Sequence, residues 1–142
     1  MKIYKWDNHQ KIIDNDDIVK LMRLTMFNPT DGRIKSAVDG IYGKEQGRFY
    51  VCEEDGIVGI IGVRRVDNAF VEIMHLAVDD AFRGKGVAKS MIQYVRDSER
   101  VDEIIVESPE NNVEFFKHLG FKVKEEYDQI TDVVRFICRL KG

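Results

Sequence analysis

Proline is nearly absent from this 142-residue sequence, with two in all, and cysteine is equally scarce. With no glycine- or serine-rich tract and no break in composition, no stretch reads as a linker, and residues 1–142 are expected to fold as one domain. The two cysteines, Cys52 and Cys138, lie in apolar runs without CxxC spacing. That excludes a disulfide scaffold and leaves a metal site or redox motif without footing. They read as reduced, buried thiols of a cytoplasmic protein. No apolar run reaches the length of a membrane span, and residues 1–7 lack the apolar stretch of a signal peptide. An excess of basic charge is missing too. The 22 basic residues face 25 acidic ones, a net of −3, which argues against a general nucleic-acid-binding surface and leaves only a local basic patch.

What is present is ordinary globular composition, 44% hydrophobic and 33% charged, so disordered and fibrous classes are out. At this mass, roughly 7,500 Å² should remain exposed on folding and about two-thirds of the unfolded surface should be buried. The class is a small soluble α/β or α+β domain. Residues 3–6 read as a short strand. Asn15, Asp16 and Asp17 are N-cap residues before a helical stripe of Ile18, Leu21, Met22 and Met26, closed by Pro29. Ile34, Ala37, Val38, Ile41 and Tyr42 carry a second helix, stopped at Gly43. Residues 48–53 and 57–66 read as strands joined by the Asp55-Gly56 turn, and Asp67-Asn68 turns the chain into a strand at 70–78. That strand is apolar on both faces and belongs in the middle of a sheet. Strict alternation puts Glu72 on one side with Phe70, Met74, Leu76 and Val78. A helix over 86–99 follows, then a strand at 104–106, a short helix through Val113, Phe116 and Leu119 ended by Gly120, and strands at 121–127 and 133–140. The reading is a mixed, mostly antiparallel central sheet of about seven strands flanked by about four helices.

The chemistry concentrates between the central strand and the helix after it. Gly84 and Gly86 let the backbone bend closely around a ligand, and the helix start presents unpaired N–H groups that attract phosphate. Arg83, Lys85 and Lys89 add charge in the same place. Residues 81–100 hold five basic and two acidic side chains, a local +3 on an acidic chain. A small anion, a pyrophosphate, suits such a turn, although two glycines and solvated lysines also make an ordinary tight turn. Neither GxxxxGK[ST] nor the three-glycine dinucleotide fingerprint occurs, which argues against ATP and NAD.

Residues 72–78 followed by Arg83-Gly84-Lys85-Gly86-Val87-Ala88 resemble motif A of the GNAT superfamily of N-acetyltransferases, whose pattern Arg/Gln-x-x-Gly-x-Gly/Ala is met by Arg83, Gly86 and Ala88. A second signature of that family, an aromatic residue followed four and five positions later by Gly-Phe, is matched by Phe116, Gly120 and Phe121. The resemblance implies acetyl-CoA as coenzyme. Its pyrophosphate would lie on the amides of Gly84, Lys85, Gly86, Val87 and Ala88, and its pantetheine arm along Leu76, Ala77 and Val78. The strand at 104–106 would splay away to open that slot, with Asn111, Asn112, Phe115 and Phe116 on its other side.

Transfer to an amine requires removal of a proton, since an alkylammonium has a pKa near ~10. Glu72, desolvated by its apolar face, is the expected base, and the resemblance agrees, because the histone-acetylating branch carries a catalytic Glu in this strand. The plainer reading of Glu72 is a carboxylate paired with a neighbouring Lys. Many relatives place a Tyr, as acid for the departing thiolate, where this sequence has Phe116, so Tyr127 or a water is expected in that role. Pro109 stands where many relatives carry Asn. His75 reads as a packed strand residue and His118 as a surface one. The acidic run from Asp102 to Glu114 reads as a solvated surface that would also attract a cationic acceptor. The expectation is direct acetyl transfer to a primary amine in a ternary complex. A non-catalytic acyl-CoA-binding regulatory module is the alternative, and a nucleic-acid-binding domain using the basic helix is a weaker one. No metal and no membrane contact are expected. Related folds often pair, so a homodimer stays open, with no residue to mark it.

Overall fold

Alternating and apolar runs become a seven-stranded mixed sheet in the computed structural model, which describes residues 1–141. The strands are β1 (Lys2–Lys5), β2 (Gly47–Glu53), β3 (Ile57–Arg65), β4 (Phe70–Val78), β5 (Glu103–Ser108), β6 (Lys122–Asp128) and β7 (Val133–Lys141). The helices are α1 (Asp16–Leu24), α2 (Asp31–Ala37), α3 (Val87–Glu99) and α4 (Val113–His118). The sheet order is β1-β2-β3-β4-β5-β7-β6, antiparallel except for β4 and β5, which α3 connects in parallel. Crossing between parallel neighbours needs a helix-length connection, and α3 supplies it.

Local chemistry sets most of these boundaries. The Asn15 side chain accepts from the Ile18 amide at 3.0 Å and Thr30 from the Arg33 amide at 3.2 Å, starting α1 and α2. Asp55 and Gly56 both take positive φ, as the tight turn between β2 and β3 demands. Gly120, at φ 97°, ends the α4 turn. Two expectations shift. Helix α1 stops at Leu24, ahead of Pro29, and the second helix is not regular throughout: α2 widens into a π-helical turn at Val38–Tyr42. The wider turn aims Tyr42 at the sheet, where its hydroxyl lies over Gly62 of β3, in space that any Cβ at Gly62 would occupy.

Two apolar layers sandwich the sheet. On one side α3 buries Val87, Met91, Ile92 and Val95 against Tyr50, Ile61, Val63, Val71 and Ile73, and Phe116 and Phe121 extend that layer at the α4 end. On the other, Ile18, Leu21 and Met22 of α1, with Ile34 and Val38, cover Phe49, Val51 and Ile60. Strand β4 is central, as its two-sided apolarity requires, but the expected assignment of its faces is overturned. Opposite β3 the register runs Gly62 to His75 and then Val63 to Ile73, leaving Met74 as a bulge. Across it the two faces exchange. Leu76 and Val78 therefore join Val71 and Ile73 on the α3 side, and Glu72 shares the α1–α2 side with His75 and Ala77.

The last three strands carry no such cover on the α1–α2 side. There the exposed face holds ion pairs between Glu103 and Arg139 at 2.9 Å and between Glu107 and Arg135 at 2.5 Å. This open half is consistent with an accessible surface of 8708 Å², above the roughly 7,500 Å² expected for the mass.

Candidate active site

Strands β4 and β5 run together for three residue pairs only, Phe70 with Glu103, Val71 with Ile104 and Glu72 with Ile105. Beyond Glu72, β4 remains paired with β3 as far as Val78, while β5 turns to β7. The edge of β4 from Ile73 to Val78 is thus open toward β5, and Leu76, Ala77 and Val78 end beside the glycine turn.

That turn is built in steps. The Asp79 side chain accepts from the Ala81 amide at 3.0 Å and starts a 3-10 turn at Asp80–Phe82. Arg83 then folds back, donating from Nε to the Val78 carbonyl at 3.1 Å and pairing with Asp80 at 2.8 Å. Gly84 and Gly86 take φ of 76° and 79°, where any side chain is strained. Nothing stands within 4 Å of the position a Cβ would take at either. Packing therefore does not require glycine here; backbone conformation does, and close approach from solvent is unobstructed. Gly86 is also the N-cap of α3 and has no side chain to cap it. The first helical amides, from Val87, Ala88 and Lys89, point toward the turn with no acidic residue in that turn of helix. Lys85 lies over the Phe82 ring at 5.3 Å, and Lys89 is exposed. The donor set fits a diphosphate, with Lys85 and Lys89 as its free charges and Arg83 engaged with Asp80.

At the parting of the strands, Glu72 bonds Arg64 of β3 at 2.6 Å, its direct cross-strand partner. The apolar desolvation expected for it is replaced by this ion pair, because the Met74 bulge moves Leu76 and Val78 to the opposite face. Three residues on, His75 is buried, with Nδ1 2.5 Å from the Tyr42 hydroxyl. Burial lowers the imidazole pKa to about 4 and pushes the phenol well above its ordinary range. His75 is thus the packed histidine expected, now with a specific partner.

A family model described as an acetyltransferase (GNAT) domain matches residues 45–123, more than half the chain. The chain belongs to the GNAT acetyltransferase family. An N-acetyltransferase of Bacillus methanolicus is 36% identical over 80 residues, covering 54% of this chain and 67% of that one. Among solved structures, the aminoglycoside 6'-N-acetyltransferase of Enterococcus faecium superposes with a TM-score of 0.77 at 16% identity, over 99% of this chain and 97% of that one. A GNAT acetyltransferase of Elizabethkingia anophelis with acetyl-CoA bound gives 0.73 at 13% identity, again over 99% and 97%. At such identities the superpositions establish the fold, which is the GNAT fold.

In this acetyltransferase the remaining sequence-predicted residues scatter. Asn111 and Asn112, in the 3-10 turn Glu110–Asn112, and Phe115 are exposed. Phe116 is buried and stacks edge-on against Phe115 and Phe121 at 5.2 and 5.3 Å, so it is part of the core. Tyr127 is not brought to the slot at all. Strands β5 and β7 separate it from β4, roughly 14 Å at the usual spacing, and its hydroxyl donates to Asp132. The strand order lends no support to Tyr127 over a water as the thiolate's acid. Sequence reading also missed Arg64 and Tyr42. Arg64 follows from a three-residue turn over Asp67, Asn68 and Ala69, which sets it opposite Glu72; a two-residue turn at Asp67 and Asn68 sets it opposite Val71. Tyr42 had a fainter signal in Gly62, a glycine inside a strand. Among the described residues no helix is long and apolar enough to cross a membrane.

Proposed function

We propose that this chain, folded as one acetyltransferase domain, moves the acetyl group of acetyl-CoA to a primary amine by direct attack in a ternary complex. The observation that carries this reading is the coincidence of two features: an open edge of β4 beyond Glu72, and an uncapped α3 start immediately after it. When bound, the coenzyme supplies a thioester, and its thiol is the leaving group. The amides of Gly84, Lys85, Gly86, Val87 and Ala88 would hold the diphosphate, with Lys85 and Lys89 around it. The open edge at Leu76, Ala77 and Val78 would hold the pantetheine arm as an added strand, and Asn111, Asn112 and Phe115 would flank it above the buried Phe116.

Glu72 takes the amine's proton in this reading, directly or through one water, while Arg64 fixes the carboxylate at the mouth of the slot. Holding amine and thioester together supplies most of the rate. With Phe116 in the core and Tyr127 remote, no side-chain acid serves the thiolate. A thiol pKa near ~8.5 lets it depart and be protonated by water. The acceptor enters over the uncovered face of β5 and β7, beside Glu72. The buried, unpaired thiols of Cys52 and Cys138 support a cytoplasmic site of action.

The test is thiol release on incubation with acetyl-CoA and a panel of small amines and amine-bearing peptides. Release dependent on one acceptor class is expected. Tight acetyl-CoA binding without turnover across the panel would favour a regulatory module instead.

A further inference from the structure

The run of carboxylates after β4 does not make an acidic surface in space. Of the five from Asp102 to Glu114, Glu103 and Glu107 lie on the uncovered face of β5, and each carries an arginine of β7. Arg139 is 2.9 Å from Glu103, and Arg135 holds both oxygens of Glu107 at 2.5 and 3.0 Å. Glu72, beside them on β4, has Arg64 at 2.6 Å. On the same face β6 sets Lys122 and Lys124 against Glu126 and Asp128, and Lys141 of β7 leaves one positive charge over. Such a face presents no negative field to gather a polycation.

Between the ion pairs this face is apolar. Ile104, Val106 and Cys138 point into the core on the α3 side, so alternation turns Ile105 and Ile137 to the uncovered side, where both are half-buried. Ile105 is the last residue of β5 paired with β4, and its partner is Glu72. Ile137 lies diagonally across on β7, opposite Glu107. Arg139 stands opposite Ile105, and Arg135 is two residues from Ile137, so their stems border the strip while their charges lie on carboxylates. From Glu72 to β7 is two strand spacings, roughly 10 Å. An amine seated at Glu72 with its body laid along the strip has room for an arylethyl or hexyl group.

We propose that the acceptor is a hydrophobic monoamine, with its ammonium at Glu72, its apolar body over Ile105 and Ile137, and no second positive charge. This rests on the acetyl transfer proposed above and makes the two isoleucines the residues that select the acceptor. They select by removing apolar surface from water, which a polyamine or an aminoglycoside cannot match, and the bordering arginines oppose any further ammonium group.

Thiol release from acetyl-CoA with phenylethylamine, hexylamine, spermidine, kanamycin and an amine-bearing peptide tests this. A second readout follows the methyl resonances of Ile105 and Ile137 as phenylethylamine is added in the presence of coenzyme A. The two hydrophobic amines should show a kcat/KM at least about tenfold above the other acceptors, and both methyls should shift. Ile137→Ser should raise the KM for phenylethylamine about tenfold with acetyl-CoA affinity held, and Ile105→Ser should do the same. Arg135→Gln with Arg139→Gln uncovers two carboxylates and should raise kcat/KM for spermidine at least about fivefold. A wild type that prefers spermidine, kanamycin or the peptide would overturn the proposal, as would natively folded isoleucine variants with an unmoved KM. So would a wild-type dimer that Ile137→Ser dissociates, since the strip would then belong to a second copy. Failure of the transfer reading is distinct: methyl shifts at both isoleucines without thiol release from any amine would discard transfer and keep the strip as a site for hydrophobic amines.

Discussion

His75 links the stability of this acetyltransferase to pH in a calculable way. Folding places the imidazole against Tyr42 and beside Gly62, its cross-strand partner, where burial lowers its pKa from 6.5 to about 4. The unfolded chain therefore binds a proton that the folded chain refuses. Because the folded value lies below the unfolded one, the contribution is complete above pH 6.5 and is lost as pH falls toward 4. A displacement of that size is worth about 3 kcal/mol, a large share of a typical domain's stability. The perturbation is the double variant His75→Leu with Tyr42→Phe, which removes both polar partners and leaves neither unsatisfied. The assay is urea unfolding at steps from pH 7.5 to 4. The wild type should lose about 3 kcal/mol more than the double variant over that interval, with the difference confined below pH 6.5. Subtracting one from the other removes carboxylates common to both, including Glu107 and Asp128, whose pKa values are held down by hydrogen bonds to Arg135 and to the Ile130 amide respectively. Parallel curves from pH 6.5 to 4 would refute the assignment of a neutral, protected imidazole.

Other consequences are equally specific. Gly86→Ala should lower stability by about 1 kcal/mol through its positive φ. It should weaken acetyl-CoA binding further, read by calorimetry, because the Cβ enters space that only a ligand would need. Glu72→Gln should depress turnover chiefly at neutral pH while leaving coenzyme affinity nearly intact, and an unchanged pH–rate profile would remove Glu72 from the mechanism. Glu99, buried at the end of α3, accepts from Tyr50 and from Arg65 at 3.0 Å, with Arg48 at 3.6 Å. Replacing it by Ala leaves the two guanidinium groups with backbone carbonyl partners only, and chemical denaturation should show a loss of about 2 kcal/mol.

Local patterns made much of this legible in the sequence. The Asp55-Gly56 turn between β2 and β3, the two-sided β4 and the inward stripe of α3 each state their own geometry, and the glycine turn before α3 declares its conformation in Gly84 and Gly86. What escaped was set by partners distant in sequence. Nothing in residues 121–140 says that β7 inserts between β5 and β6, and that single choice removes Tyr127 from the slot. The Met74 bulge is one extra residue in an otherwise regular alternation, yet it reverses the faces of Leu76 and Val78 and gives Glu72 an ion pair in place of an apolar wall. Tyr42 and His75, far apart in the chain, meet only because the helix widens at Val38–Tyr42 and β3 offers Gly62.

The central claim is that the open edge of β4 and the start of α3 together hold acetyl-CoA. Amide resonances followed through a titration with acetyl-CoA test it residue by residue. The largest shifts should fall on Gly84, Gly86, Val87 and Ala88 and on Leu76, Ala77 and Val78, saturating together with one affinity. Saturable shifts that leave those amides unmoved and gather elsewhere, or no shifts at all, would contradict it.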